Sequence, residues 1–296
     1  MTVDQDHKNF TGQIFKDLKQ RFIETLQVVY DPEELPNVAK IYFEDRFNIT
    51  GDHFHRAVTY PELEKFSLDL KKLSLGEPVQ YVVGKAYFFE NFFEVTPAVL
   101  IPRPETEELV ALAIERLSKQ LGQRTLNVLD IGTGSGCIAI SVGKKAKNIN
   151  MFALDISREA LDVASANAKT LQADVKFMEL NFLDESGWID LPTVDFVLSN
   201  PPYIAKKEAE NMAHRVIDFE PGQALFVPDD DPLVFYRKIF DFSTRKLNTG
   251  AEILAEISEF QSENLIQLCQ EYDGFECVIR QDLQGKPRIL HAVKRY

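Results

Sequence analysis

Apolar residues recur at Phe10, Ile14, Leu18, Phe22, Leu26 and Val29, spaced by four and once by three, and predict a single amphipathic helix over residues 10–29. A second helical pattern covers residues 35–47, and a third covers 61–75 with Leu63, Phe66, Leu70 and Leu73 in line. No glycine loop interrupts this part, so residues 1–78 read as a small helical domain that either adds stability or docks a substrate. After Gly76-Glu-Pro, residues 81–95 turn aromatic and β-branched around the polar pair Glu90-Asn91, which predicts a linker hairpin within 79–100. Pro102 and Pro104 then force an extended chain, and Glu105, Glu107 and Glu108 favour the start of a helix running to Leu121.

From residue 126 the period alternates between two and 3.6. Strands are expected at 128–131, 150–154, 175–180, 194–199 and 251–257, with helices after the first glycine loop and at 158–171, 232–247 and 261–272. Two last strands, near 275–280 and 288–293, lack a helix between them and should form an antiparallel edge pair. Strands alternating with helices imply an α/β, doubly wound, mostly parallel sheet, Rossmann-like, over residues 101–296.

Chemistry concentrates where strands end. Val128 to Ile131 is followed by Gly132, Thr133, Gly134, Ser135 and Gly136, then by an apolar helical pattern. Glycines let the backbone approach a ligand closely, and the helix N-terminus supplies unpaired N–H groups. The spacing G-x-G-x-G departs from the dinucleotide fingerprint, so a nucleoside carrying an amino acid, such as S-adenosylmethionine, fits better than a pyrophosphate. Asp155, at the end of the next strand, could accept hydrogen bonds from ribose hydroxyls, or be an ordinary strand-end residue ahead of a helix capped by Ser157. Arg103, stiffened between two prolines, could reach the cofactor, brace a loop or simply be solvated.

The strand at 194–199 ends in Asn200-Pro201-Pro202-Tyr203. In a doubly wound sheet this loop should lie beside the glycine loop. Each of the first two residues precedes a proline, which fixes the Asn200 side chain and the Pro201 carbonyl as two rigid acceptors for a planar NH2 group, with Tyr203 or Pro202 flat on its π system. Such a nitrogen is a poor nucleophile, so the site must orient it towards an incoming methyl group.

These residues resemble the peptide chain release factor glutamine methyltransferases. The resemblance runs from about Gly76 to the C-terminus, through Ile101-Pro-Arg-Pro-Glu-Thr-Glu, Asp130-Ile-Gly-Thr-Gly-Ser-Gly, Asn200-Pro-Pro-Tyr, Asp218-Phe-Glu-Pro and Asp282-Leu-Gln-Gly-Lys-Pro-Arg. It implies a class I S-adenosylmethionine-dependent enzyme in which Gly132 to Gly136 and Asp155 contact the cofactor and Phe182 flanks its adenine. Asn200, next to the cofactor, Pro201, Pro202 and Tyr203 then hold the amide of the glutamine in the Gly-Gly-Gln motif of release factors, with Arg103 and Glu220 on the substrate side. Many relatives have Asp-Trp or Asp-Phe where this chain has Asn181-Phe182, which removes a carboxylate contact at 181 and keeps the stacking. Adenine-N6 methyltransferases share the four-residue signature, so a nucleic-acid adenine, or a ribosomal-protein glutamine, are the alternatives.

Composition narrows these choices. A net charge of −13 and a pI near 4.9 disfavour a phosphate backbone, so no direct DNA binding is expected. Three cysteines without a C-x-x-C pair, and His53 and His55 without further ligands, suggest neither a disulfide framework nor a metal site. The run Asp229-Asp230-Asp231 reads as a solvated turn. With no signal-like N-terminus and no membrane-length apolar run, a cytoplasmic, monomeric enzyme is expected.

Overall fold

A computed structural model describes residues 10–120, 124–211 and 214–296 of the 296-residue chain. These divide into two compact units, one holding the chain up to Lys85 together with 214–219, the other holding the remainder. The return of residues 214–219 to the first unit has no counterpart in the sequence pattern.

In the first unit, β1 (Phe10–Ile14) pairs antiparallel with β2 (Ala57–Thr59), and α1 (Phe15–Leu26), α2 (Leu35–Phe47), α3 (Tyr60–Ser74) and α4 (Val79–Val83) pack on a shared core. The expected helix over 10–29 is therefore a strand followed by a shorter helix. Gly12 sits at φ +78, outside helical space, and the Asp17 carboxylate accepts from the Ile14 N–H to start the helix at Phe15. Phe15, Leu18, Phe22 and Leu26 form the buried stripe that the fourfold spacing required. Tyr42, Phe43 and Phe66 pack as an aromatic cluster against Phe22. Inside the unit, Arg46 meets the buried Asp69 with two hydrogen bonds, 2.7 and 2.8 Å. Residues 214–219 form α8, whose Arg215 bonds Glu34 at 2.7 Å and lies over the Tyr30 ring.

The second unit opens with the hairpin β3 (Lys85–Phe88) and β4 (Asn91–Glu94). Its turn is Phe89-Glu90, one residue earlier than the sequence suggested, with both residues at positive φ, 44° and 65°. The register puts Phe88 and Phe93 both into the core, and the strained turn is held by a bond from the Phe89 N–H to Glu107. Residues 79–83, expected within the hairpin, form α4, ended by Gly84 in the left-handed region.

The main sheet comprises β5 (Leu126–Ile131), β6 (Ile149–Asp155), β7 (Val175–Glu179), β8 (Val194–Ser199), β11 (Leu247–Glu256), β12 (Phe275–Gln281) and β13 (Pro287–Lys294). The short strands β9 (Ile204–Ala205) and β10 (Phe226–Val227) pair apart from it. Strand order is β12-β13-β11-β8-β5-β6-β7, parallel except that β13 runs antiparallel to both neighbours. Flanking helices are α5 (Thr106–Gln120), α6 (Cys137–Lys145), α7 (Arg158–Leu171), α9 (Gly222–Leu225), α10 (Val234–Lys246) and α11 (Ser262–Gln270). Leu121, the expected end of α5, lies outside the described residues.

Alternate residues of the buried strands feed two separate cores. Val128, Phe196, Leu198 and Leu254 face α5 and α6, while Leu129, Ile131, Val197 and Ile253 face α10 and α11. The sheet is thus covered on both faces, as its unbroken apolar strands require. The chain winds outward from β5 to β7 and then returns across β5 to β8, so the β5–β8 boundary is the switch point where a crevice opens. Among the described residues no helix is long and apolar enough to cross a membrane.

Candidate active site

A cavity of about 320 Å³ opens at that switch point, at the C-terminal ends of β5, β6 and β8. Gly132, Thr133, Gly134, Ser135, Asp155, Phe182, Asn200, Pro202 and Arg103 all line it. Of the other expected residues, Gly136, Pro201, Tyr203 and Glu220 are not among those that line it.

The glycine loop owes its form to backbone geometry. Gly132, Gly134 and Gly136 lie at φ +73, +53 and +81. A Cβ on Gly134 would project into open space, where a ligand can approach the backbone, whereas one on Gly136 would come within 2.9 Å of Ile140 and 3.2 Å of Ala164. Gly134 therefore serves ligand approach, and Gly136 serves the packing of α6 on α7. Asp155 Oδ2 accepts from the Gly134 N–H at 2.9 Å and Oδ1 from the Ser157 N–H at 3.0 Å. A carboxylate has about four lone-pair positions, so Asp155 holds the loop and keeps acceptor capacity for ribose hydroxyls. Under the loop, Thr133 donates to the buried Asp130 at 2.7 Å. Burial pushes the Asp130 carboxyl up to about 7 against that hydrogen bond.

Phe182 is held by a tilted ring contact with Trp188 and an edge contact with Phe242, while the Trp188 indole N–H donates to the Phe182 carbonyl at 2.9 Å. Buried at 4% exposure, Phe182 still lines the cavity. Asn181 turns its side-chain oxygen to the Leu183 N–H, 3.1 Å away.

Arg103 is braced. Glu220, buried, bonds its guanidinium at 2.5 Å and accepts from the Ile101 N–H at 3.3 Å. The Glu220 carboxylate is thus directed into the loop at 101–103 and stands behind Arg103, which itself lines the cavity.

Two residues that sequence reasoning did not single out complete the site. Asn200 donates through Nδ2 to Thr106 Oγ1 at 3.2 Å, and Thr106 donates to Glu256 Oε2 at 2.6 Å. Tyr203 points its hydroxyl at Glu256 Oε1, 3.4 Å away, and its carbonyl accepts from Gln261 at 2.9 Å. Glu256 lies at the end of β11, is 2% exposed, and has its carboxyl raised by burial against the hydrogen bond from Thr106 and the charge of Arg288. The available signal was a lone carboxylate closing the apolar run Ile253-Leu-Ala, which a buried strand tolerates only when partnered.

A glycine loop after the central strand, an acid ending the next strand, and a parallel sheet whose β13 is inserted antiparallel define a class I S-adenosylmethionine-dependent methyltransferase. A family model described as methyltransferase small domain matches residues 109–224. The solved catalytic domain of hMettl16 superposes with a TM-score of 0.55 at 14% identity, covering 90% of this chain and 93% of that one, a likeness of fold alone.

Closer relatives give the family. A release factor glutamine methyltransferase of Flavobacterium psychrophilum is 35% identical over 94% of this chain and 98% of its own length. One of Bacteroides thetaiotaomicron is 37% identical over 91% and 96%. The chain belongs to the release factor glutamine methyltransferase family.

Proposed function

We propose that this protein transfers the methyl group of S-adenosylmethionine to the side-chain amide nitrogen of the glutamine in the Gly-Gly-Gln motif of peptide chain release factors. The observation that carries this reading is Asn200, set beside the glycine loop with its NH2 engaged by Thr106 and its oxygen left to accept. Family membership selects the substrate.

The chain's own residues fit the cofactor. Gly134 leaves backbone open to approach, Asp155 retains lone pairs, Phe182 lines the cavity, and the Ser135 hydroxyl makes no well-aligned hydrogen bond among the described residues. Gly132 to Gly136, Asp155 and Phe182 would hold the cofactor, with Asn200 next to it, and its sulfonium would supply an electrophilic methyl group. Asn200 and the Pro201 carbonyl accept the two hydrogens of the glutamine NH2, which turns the nitrogen lone pair towards the methyl carbon and favours its loss of planarity. Tyr203 and Pro202 pack on the amide plane. The proton left on nitrogen would pass to solvent after transfer.

The substrate is far larger than a 320 Å³ cavity, and the helical unit supplies surface to dock it. The enzyme acts as a monomer in the cytoplasm, and its charge of −13 works against a DNA substrate. Asn200→Ala is expected to leave cofactor affinity within about twofold while slowing methyl transfer by about 10²-fold, since misorientation at the reacting atom costs that much. Calorimetry beside single-turnover rates checks it, and a rate near wild type would remove Asn200 from its assigned role.

A further inference from the structure

We infer that Thr106 and Glu256 are positioning residues that set the polarity of the Asn200 amide, and so select an NH2-bearing substrate over a carbonyl-bearing one. The inference rests on the glutamine reading for its substrate and on geometry alone for the polarity. An asparagine side chain presents an oxygen or an NH2 with almost the same shape, and an acceptor site for NH2 needs the oxygen outward. Something must fix the choice.

A threonine hydroxyl carries one proton. In Thr106 it donates to Glu256 Oε2 at 2.6 Å, so that proton lies between Thr106 and the Glu256 carboxyl group. The remaining side of Thr106 Oγ1 can then only accept. Asn200 must meet it with Nδ2, 3.2 Å away, and its Oδ1 is the end left for a ligand. Reversing the amide would set its oxygen against the threonine lone pairs, a buried repulsion with no hydrogen bond in return. Thr106 and Glu256 are each 2% exposed, so water does not offer an alternative partner. Tyr203, with its hydroxyl towards the other oxygen of Glu256, ties the substrate-facing loop to the same carboxyl group.

Two substitutions of Thr106 separate hydroxyl from shape, Thr106→Val removing the hydroxyl and Thr106→Ser keeping it. In single-turnover assays with labelled S-adenosylmethionine and release factor, Thr106→Val should slow transfer at least about 10-fold and Thr106→Ser less than about threefold. Cofactor affinity should be unchanged in both, which a general structural defect would not allow. In an Asn200→Ala background, Thr106→Val should have no further effect, because its action runs through Asn200. The polarity has its own readout without substrate. Solvent exchange of the Asn200 side-chain NH2, identified by NMR from its absence in Asn200→Ala, should be slower in wild type and Thr106→Ser than in Thr106→Val. Equal exchange in wild type and Thr106→Val, unchanged transfer by Thr106→Val, or an equal loss in the Asn200→Ala background would each overturn the inference. A wild-type enzyme that failed to label release factor would instead count against the glutamine reading, with the exchange result still deciding the polarity.

Discussion

At the N-terminal end of β8, Asp195 accepts from Arg124 at 2.7 and 2.9 Å, from the Asn127 N–H at 2.9 Å and from Asn248 at 2.8 Å. At the C-terminal end of the same strand, five residues later, Asn200 keeps an acceptor open, and beside it the Ser135 Oγ, in the cavity wall, makes no well-aligned hydrogen bond among the described residues. The electrostatics diverge likewise. Burial alone would raise Asp195, but the bonds from Arg124, Asn248 and Asn127 hold it below the usual carboxylate range, whereas burial wins at Asp130 and takes it to about 7. One end of the sheet is saturated with internal partners and the other leaves polar capacity for a ligand. Stability and function are thus separated along the strands, and substitutions at the two ends should show different phenotypes.

The largest effect should come from the saturated side. Glu252, buried in β11, accepts two bonds from Arg116, each 2.8 Å, another from Gln120 at 2.7 Å, and pairs with His291 at 2.7 Å. Arg116→Ala should cost about 3 kcal/mol of unfolding free energy, the scale of breaking a buried pair, with cofactor affinity unchanged. Urea unfolding beside calorimetry checks both halves. Burial opposes ionisation of Glu252, yet the bonds from His291 and Arg116 bring it down to about 2. A depressed carboxylate contributes stability that is full above its unfolded value near 4.5 and lost as pH falls towards 2. Arg116→Ala should therefore flatten the acid limb of the stability profile.

A smaller effect is expected at the open end. Asp155→Ala should weaken cofactor binding by about 1–3 kcal/mol through lost ribose hydrogen bonds and a loosened Gly134 loop, and leave unfolding free energy within about 1 kcal/mol. If both Arg116→Ala and Asp155→Ala shifted stability and affinity together, the two ends would not be separable in this way.

Much of this open end is legible in the chain because it is local. Gly132 to Ser135, Asp155, Asn200 and Pro202 each sit at or just after the end of an apolar strand, so finding the strand places them at the crevice. The sheet was legible for the same reason, its buried strands being apolar throughout. Thr106 and Glu256 were not, because 150 positions separate them and only the closed sheet brings their oxygens to 2.6 Å. Glu220 shows the converse, since a motif marked it while its buried carboxylate serves Arg103. In the first unit, the fourfold spacing of Phe10 and Ile14 imitated a helix, and one glycine at positive φ was enough to make that segment a strand. The hairpin turn slipped by one residue because burying both Phe88 and Phe93 outweighed the turn preference of Glu90-Asn91.

The acceptors at Asn200 and Pro201 are assigned here to a glutamine amide on a release factor. The most direct measurement incubates the full chain and labelled S-adenosylmethionine with three substrates in parallel: intact release factor, the same factor with Gln→Ala in its Gly-Gly-Gln loop, and adenine-containing DNA. Label confined to the intact factor, and mapped by peptide mass spectrometry to that glutamine, is the predicted result. Label on DNA, or equal label on the Gln→Ala factor, would contradict it.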